Sequence, residues 1–273
     1  MAPILRAARK VGDASGVSGP MGDGGREGTR TPDPYHESVP TPSKRALAAV
    51  VLAALLLAAV VIAWRPPSGV ALRYVAIGAS DTVGAGVANP LEEGWVSVLH
   101  DALPDGTQLL NLGVNGMRLE EALAQSVPVA LDARPDVVTV WLAANDLNSG
   151  VPLADYQRDL GLLLNALDGT GARWILVGNL PDLVTLDVFG RRAGTPDQVR
   201  AELALWNKAI ATAVADHHAS LVDVFAASSA YADHPEYVSF DGGHPSAAGY
   251  ARLAEIFGAA LRDAGGPVDG LGG

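Results

Sequence analysis

Three residue types that together can transfer an acyl group stand in this sequence where their neighbours would leave them exposed. Ser80 follows the apolar run Tyr74-Val75-Ala76-Ile77 and the halt at Gly78. That position is the carboxyl end of a strand, the edge at which open α/β sheets bind ligands. His244 lies in Asp241-Gly-Gly-His244-Pro, a glycine-rich turn leading into a helical pattern. Three residues earlier in the chain, Asp241 is spaced to accept from its Nδ1, which leaves Nε2 to take the proton of Ser80. The remaining need is donors for an oxyanion. The N–H of Ser80, the N–H of Gly113 in Asn111-Leu-Gly-Val-Asn-Gly116, and the amide of Asn145 in Ala143-Ala-Asn-Asp146 would supply three. Taken singly, each of these positions is more often a cap or a turn, and the reading rests on their combination. The other histidines, His36, His100, His217, His218 and His234, lack a comparable setting.

The elements that must position these residues follow from the apolar pattern. Tyr74–Ile77, Gln108–Leu112, Val137–Leu142, Trp174–Gly178 and Ser220–Phe225 read as five strands. The first is a continuous apolar run, as expected of a strand buried on both faces of a parallel sheet, and the third is the clearest strand in the chain. Helical patterns intervene at Trp95–Leu103, Arg118–Ala124 and Leu153–Leu167, and the last runs from Ser246 to Leu261. Thr195-Pro196-Asp197-Gln198 is a capping box with proline at the first helical position, followed by the stripe Val199, Leu203, Trp206, Ile210 and Val214. Strands alternating with helices predict an α/β domain over residues 72–264 with a parallel five-stranded sheet covered on both faces. The loop Pro181–Thr195 borders the predicted site, and its Arg191-Arg192 pair reads as a solvated pair. Residues 265–273 read as a loose tail.

The 273 residues carry a formal charge of −11 and no cysteine, so disulfide and thiolate chemistry are excluded. Residues 46–273 hold twelve Lys and Arg against twenty-five Asp and Glu, which excludes the basic footprint of a nucleic-acid binder. Gly84-Ala-Gly86 lacks the third glycine of a dinucleotide fingerprint, and no P-loop lysine follows. Ala46 to Trp64 is an uncharged apolar run between Lys44-Arg45 and Arg65-Pro66-Pro67. As a helix it would reach roughly 28 Å, the hydrocarbon thickness of a bilayer. The expectation is a transmembrane signal anchor over 46–64, after a tail over 1–45 that is disordered and cytoplasmic, and before a linker over 65–71. Charge places the N-terminus inside and the body outside the membrane. The alternative is a cleaved signal peptide and a secreted protein.

The blocks Gly78-Ala-Ser80-Asp, Gly113, Ala-Ala-Asn145-Asp and Asp241-Gly-Gly-His244-Pro resemble, in order, the four blocks of the SGNH, or GDSL-like, hydrolases. The resemblance implies a flavodoxin-like three-layer α/β/α fold and ester hydrolysis through a serine acyl-enzyme. It makes Ser80 the nucleophile, His244 the base and Asp241 the third triad member. Ser80, Gly113 and Asn145 then form the oxyanion hole, with no metal or cofactor called for. Two blocks depart from the family pattern: Ala79 and Asp81 flank the serine where aspartate and leucine are usual, and Ala143 replaces a glycine. The substrate expected is a small-molecule, glycan or lipid ester. The alternatives are a carbohydrate O-acyltransferase or deacetylase of the same fold, and a non-catalytic cell-surface binding module.

Overall fold

The structure, a computed structural model, describes residues 72–185, 194–228 and 233–271. In chain order, β1 (Arg73–Gly78) is followed by α1 (Ser80–Val83), α2 (Pro90–Glu93), α3 (Trp95–Asp101) and β2 (Gln108–Asn111). Next come α4 (Leu119–Ala133), β3 (Val137–Trp141), α5 (Ala144–Asn148), α6 (Leu153–Asp168) and β4 (Trp174–Gly178). The chain then forms α7 (Pro196–Ala215), β5 (Ser220–Val222), α8 (Val224–Ser228) and α9 (Ala247–Asp263). All strand pairs are parallel, in the order β2-β1-β3-β4-β5.

Strand alternation divides the core in two. Val75, Ile77, Val138, Val140, Ile175 and Val177 face α4, α6 and α7. On the other side Tyr74, Ala76, Leu176 and Val222 face α3 and α9. The result is a three-layer α/β/α sandwich, as the pattern predicts. Polar groups in the interior are matched: Tyr74 Oη and Thr139 Oγ1 lie 3.0 Å apart across β1 and β3. The predicted stripe of α7 is buried throughout, and both halves of its capping box form.

Four expectations are corrected. α4 runs on to Ala133 through Pro128, because burial of Val127 and Ala130 outweighs the roughly 3 kcal/mol that an interior proline costs. The fifth strand ends at Val222, not Phe225. Asn179 Nδ2 donates to Asp223 Oδ1 at 2.8 Å, and the same oxygen accepts the N–H of Ala226, which starts α8 there. The second strand stops at Asn111, not Leu112, so Gly113 lies two residues beyond it. Residues 265–271 are held rather than loose: Asp269 N–H donates to Ala102 O at 2.8 Å, and Arg262 reaches Leu271 O. No helix among the described residues is long and apolar enough to cross a membrane, and the segment 46–64 lies outside those residues.

Candidate active site

The turn that carries His244 is a short hairpin. Val238 and Pro245 form an antiparallel bridge, and Ser239 N–H donates to His244 O at 2.8 Å. Asp241 organises the loop between them. Its Oδ1 accepts the Ser239 hydroxyl and the N–H groups of Gly243 and His244, each within 2.9 Å. Its Oδ2 lies 2.8 Å from His244 Nδ1. Burial works against the ionised carboxyl, but these donors outweigh it and hold Asp241 well below the usual carboxylate range. With Nδ1 so engaged, the imidazole has one fixed orientation, and no described residue bonds its Nε2.

Ser80 opens α1 at the end of β1. Gly78 makes this turn possible, since a Cβ there would collide with the Thr82 hydroxyl. α1 ends after one turn at Gly84, whose φ of 88° caps it in the left-handed region. Two residues on, Gly86 (φ 94°) runs against the hairpin. A Cβ on it would lie 2.8 Å from Ser239 Oγ and 2.9 Å from His244 Cβ. Tyr250 Oη, from α9, donates to Ala85 O at 2.6 Å and holds the same stretch down. The chain after Ser80 and the hairpin bearing His244 are thus packed directly together.

Gly113 lies across α1 from this contact, with a would-be Cβ 2.9 Å from Val83 N. Its N–H donates to Asn111 Oδ1 at 2.9 Å, while Asn111 Nδ2 donates to Thr82 O at 2.7 Å. Asn145 lies in α5, beyond β3. One of its amide protons goes to Met117 O at 3.0 Å, leaving the other without a described acceptor. Ala143, which turns the chain from β3 into α5, has φ 138° and is buried. Asp146 is buried and accepts the N–H of Leu119 at 3.1 Å, so it ties α5 to the start of α4. Burial pushes its carboxyl up to about 6 despite that bond.

Ser80, Asn145 and His244 meet at one cavity of about 150 Å³, whose walls include Trp141, Leu180 and Tyr237. Gly113 is not among its lining residues. Asp241 stands behind the imidazole, and Asp81 does line the cavity. The cavity opens at the carboxyl ends of β1 and β3, where the strand order reverses direction and open α/β sheets place their ligands.

A family model, the GDSL-like lipase/acylhydrolase family, matches residues 76–252, from within β1 to within α9. The chain belongs to the GDSL-like lipase/acylhydrolase family. It is 31% identical over 101 residues to an arylesterase of Vibrio mimicus, a match over 36% of this chain. The chain spans about half the length of that relative, 50%. Among solved structures it resembles LAE5, an alpha/beta hydrolase enzyme from the metagenome of Lake Arreo, with a TM-score of 0.57 at 21% identity. That match covers 71% of this chain and 95% of LAE5. It also resembles Axe2, an acetylxylan esterase from Geobacillus stearothermophilus, with a TM-score of 0.56 at 21% identity, covering 71% and 94% of the two chains. At these identities the likeness is one of fold.

In this member of the family the two departures from the family pattern take physical form. Ala143 holds a backbone conformation that glycine adopts freely and alanine rarely does. Asp81 is among the residues that line the cavity, and burial pushes its carboxyl up to about 6 against the pull of His244. Residues that the motif reading passed over also shape the site. Ser239 braces Asp241, Asn111 occupies the Gly113 N–H, and Gly86 lets the hairpin close. A glycine shortly after the serine is a signal visible in the sequence for Gly86 only; nothing local marks Asn111 or Ser239. The Arg191-Arg192 pair lies outside the described residues.

Proposed function

We propose that this protein is a serine ester hydrolase, held to the membrane by residues 46–64 with its GDSL-like domain on the extracytoplasmic side. The observation that carries the reading is that Ser80, Asn145 and His244 line one cavity while Asp241 takes Nδ1 of the same histidine. In this mechanism Ser80 Oγ attacks the ester carbonyl as Nε2 of His244 takes its proton. Asp241, kept ionised by its four donors, holds the ring tautomer and stabilises the imidazolium that forms. The tetrahedral oxyanion receives the Ser80 N–H and the free amide proton of Asn145. The Gly113 N–H, the third donor that the family pattern would supply, donates instead to Asn111 Oδ1 and lies outside the cavity lining. His244 protonates the departing alcohol, then activates the water that resolves the acyl-enzyme. The modest cavity volume suits a short acyl group.

Ser80→Ala tests the assignment. It is expected to lower kcat for a chromogenic acetate ester by at least about 10³-fold, the scale of losing a triad nucleophile. It should also abolish covalent labelling by a fluorophosphonate, with the thermal midpoint unchanged. Turnover at the wild-type rate in this variant would overturn the site.

A further inference from the structure

The cavity contains an ionisable group that the proposed reaction does not use. Asp81 lines it beside Ser80 and His244, and no hydrogen-bond donor from another described residue reaches its carboxylate. Buried or half-buried carboxylates ordinarily have a cation or several donors as partners. Here the described lining holds no Lys or Arg, and a second carboxylate, Asp241, stands behind His244. Charge in the cavity is therefore unbalanced toward the negative, and the only cation the site itself generates is the transient imidazolium. Two aromatic side chains, Trp141 and Tyr237, complete the wall. A carboxylate with aromatic neighbours is the chemistry by which proteins bind ammonium groups. The wider field has the same sign: residues 46–273 carry twelve basic against twenty-five acidic side chains, which draws cations toward the domain.

We propose that Asp81 makes this site selective for short-chain esters that carry an ammonium group, with the carboxylate of Asp81 as the counter-ion of that group. The inference rests on the hydrolase reading above and names its substrate class. An anionic ester would meet uncompensated like charge, and a neutral one would bring the carboxylate no cationic partner.

The test compares acetylcholine with its uncharged isostere 3,3-dimethylbutyl acetate, in which carbon replaces the quaternary nitrogen, on the full-length protein in detergent. The wild type is expected to prefer the cationic ester by about tenfold or more in kcat/KM, the ratio that one well-placed charge contact supplies. In Asp81→Asn the ratio should fall to near one, whatever happens to the absolute rates. A wild-type ratio near one, or the same preference in Asp81→Asn, would overturn the proposal. Loss of all turnover toward every acetate ester would instead count against the hydrolase reading. A second measurement covers that case. Calorimetric titration with tetramethylammonium should show binding to the wild type and to Ser80→Ala, and none to Asp81→Asn. Absence of binding to the wild type refutes the ammonium site independently of turnover. If Asp81→Asn fails to fold, Asp81→Ser serves in both measurements.

Discussion

Two backbone positions set the geometry around Ser80 and His244, and they call for opposite substitutions. At Gly86 the conformation is left-handed and the space for a side chain is already taken by Ser239, His244 and the Pro245 carbonyl. Gly86→Ala is expected to push the hairpin away from α1. Displacing a reacting group by about 1 Å costs up to about 10²-fold in rate. We expect a drop in kcat on the order of tenfold or more, with a stability loss of about 1–2 kcal/mol from the strained φ. Steady-state kinetics and urea denaturation of the one variant check both. At Ala143 the strain is already present, with φ 138° at a buried residue. A buried Ala→Gly change ordinarily costs about 1 kcal/mol. Here relief of roughly 1–3 kcal/mol of strain offsets that. Ala143→Gly is therefore expected to leave the urea midpoint unchanged or raised, and a lowered midpoint would show that the conformation costs little.

Among the elements, α5 has the most demanding placement. It is five residues long and carries Asn145, yet its position is fixed by contacts to a different part of the chain. Asn145 donates to Met117 O, and Asp146 accepts from Leu119 N–H at the start of α4. The two bonds orient the amide that faces the cavity. They also carry a pH signature. Burial pushes the Asp146 carboxyl from its ordinary 3.8 up to about 6. A carboxyl whose folded pKa exceeds its unfolded one favours folding when protonated. Its contribution is fully present below about pH 4 and is lost as pH rises through 6. Asp146→Asn keeps an oxygen for Leu119 N–H but has no proton to lose. The stability of this variant relative to wild type is thus expected to rise by about 2 kcal/mol between pH 4 and pH 7. Urea midpoints across that range measure it, and a flat difference would refute the burial argument.

On the scale of the whole molecule, the sheet places three distant segments at one edge. β1 delivers Ser80, β3 delivers Asn145, and the hairpin before α9 brings His244 back to β1. The order β2-β1-β3 opens the crevice between helices on opposite faces, and the two apolar layers keep it rigid from both sides. Trp95, Trp141 and Phe257 pack as one aromatic group below the cavity, with the rings of Trp95 and Phe257 stacked at 4.3 Å. The membrane reading is tested on the intact protein. After alkaline carbonate washing the full-length chain is expected to stay with the membrane pellet, while deletion of residues 46–64 releases it. External protease on intact cells should degrade the domain over 72–264. A full-length chain found in the soluble fraction would refute the anchor.

Much of this was legible in the chain alone, because the signals are local. Largely apolar runs at Tyr74–Ile77 and Val137–Trp141 mark buried strands, since a sheet flanked by helices on both faces buries side chains at nearly every position, and the polar Thr139 is matched by Tyr74. The box at Thr195–Gln198 marks a helix start because its partners are three residues apart. Asp241 and His244 pair for the same reason. What the sequence by itself could not decide are the contacts between residues that only folding makes neighbours. Asn111 reaches Thr82 O, Asp146 reaches Leu119 N–H, and Gly86 meets His244, each across 27 or more positions of chain. The lack of a Lys or Arg beside Asp81 in the described cavity lining is of this kind too. Whether a side chain has a counter-ion depends on everything packed around it, and no pattern along the chain records that.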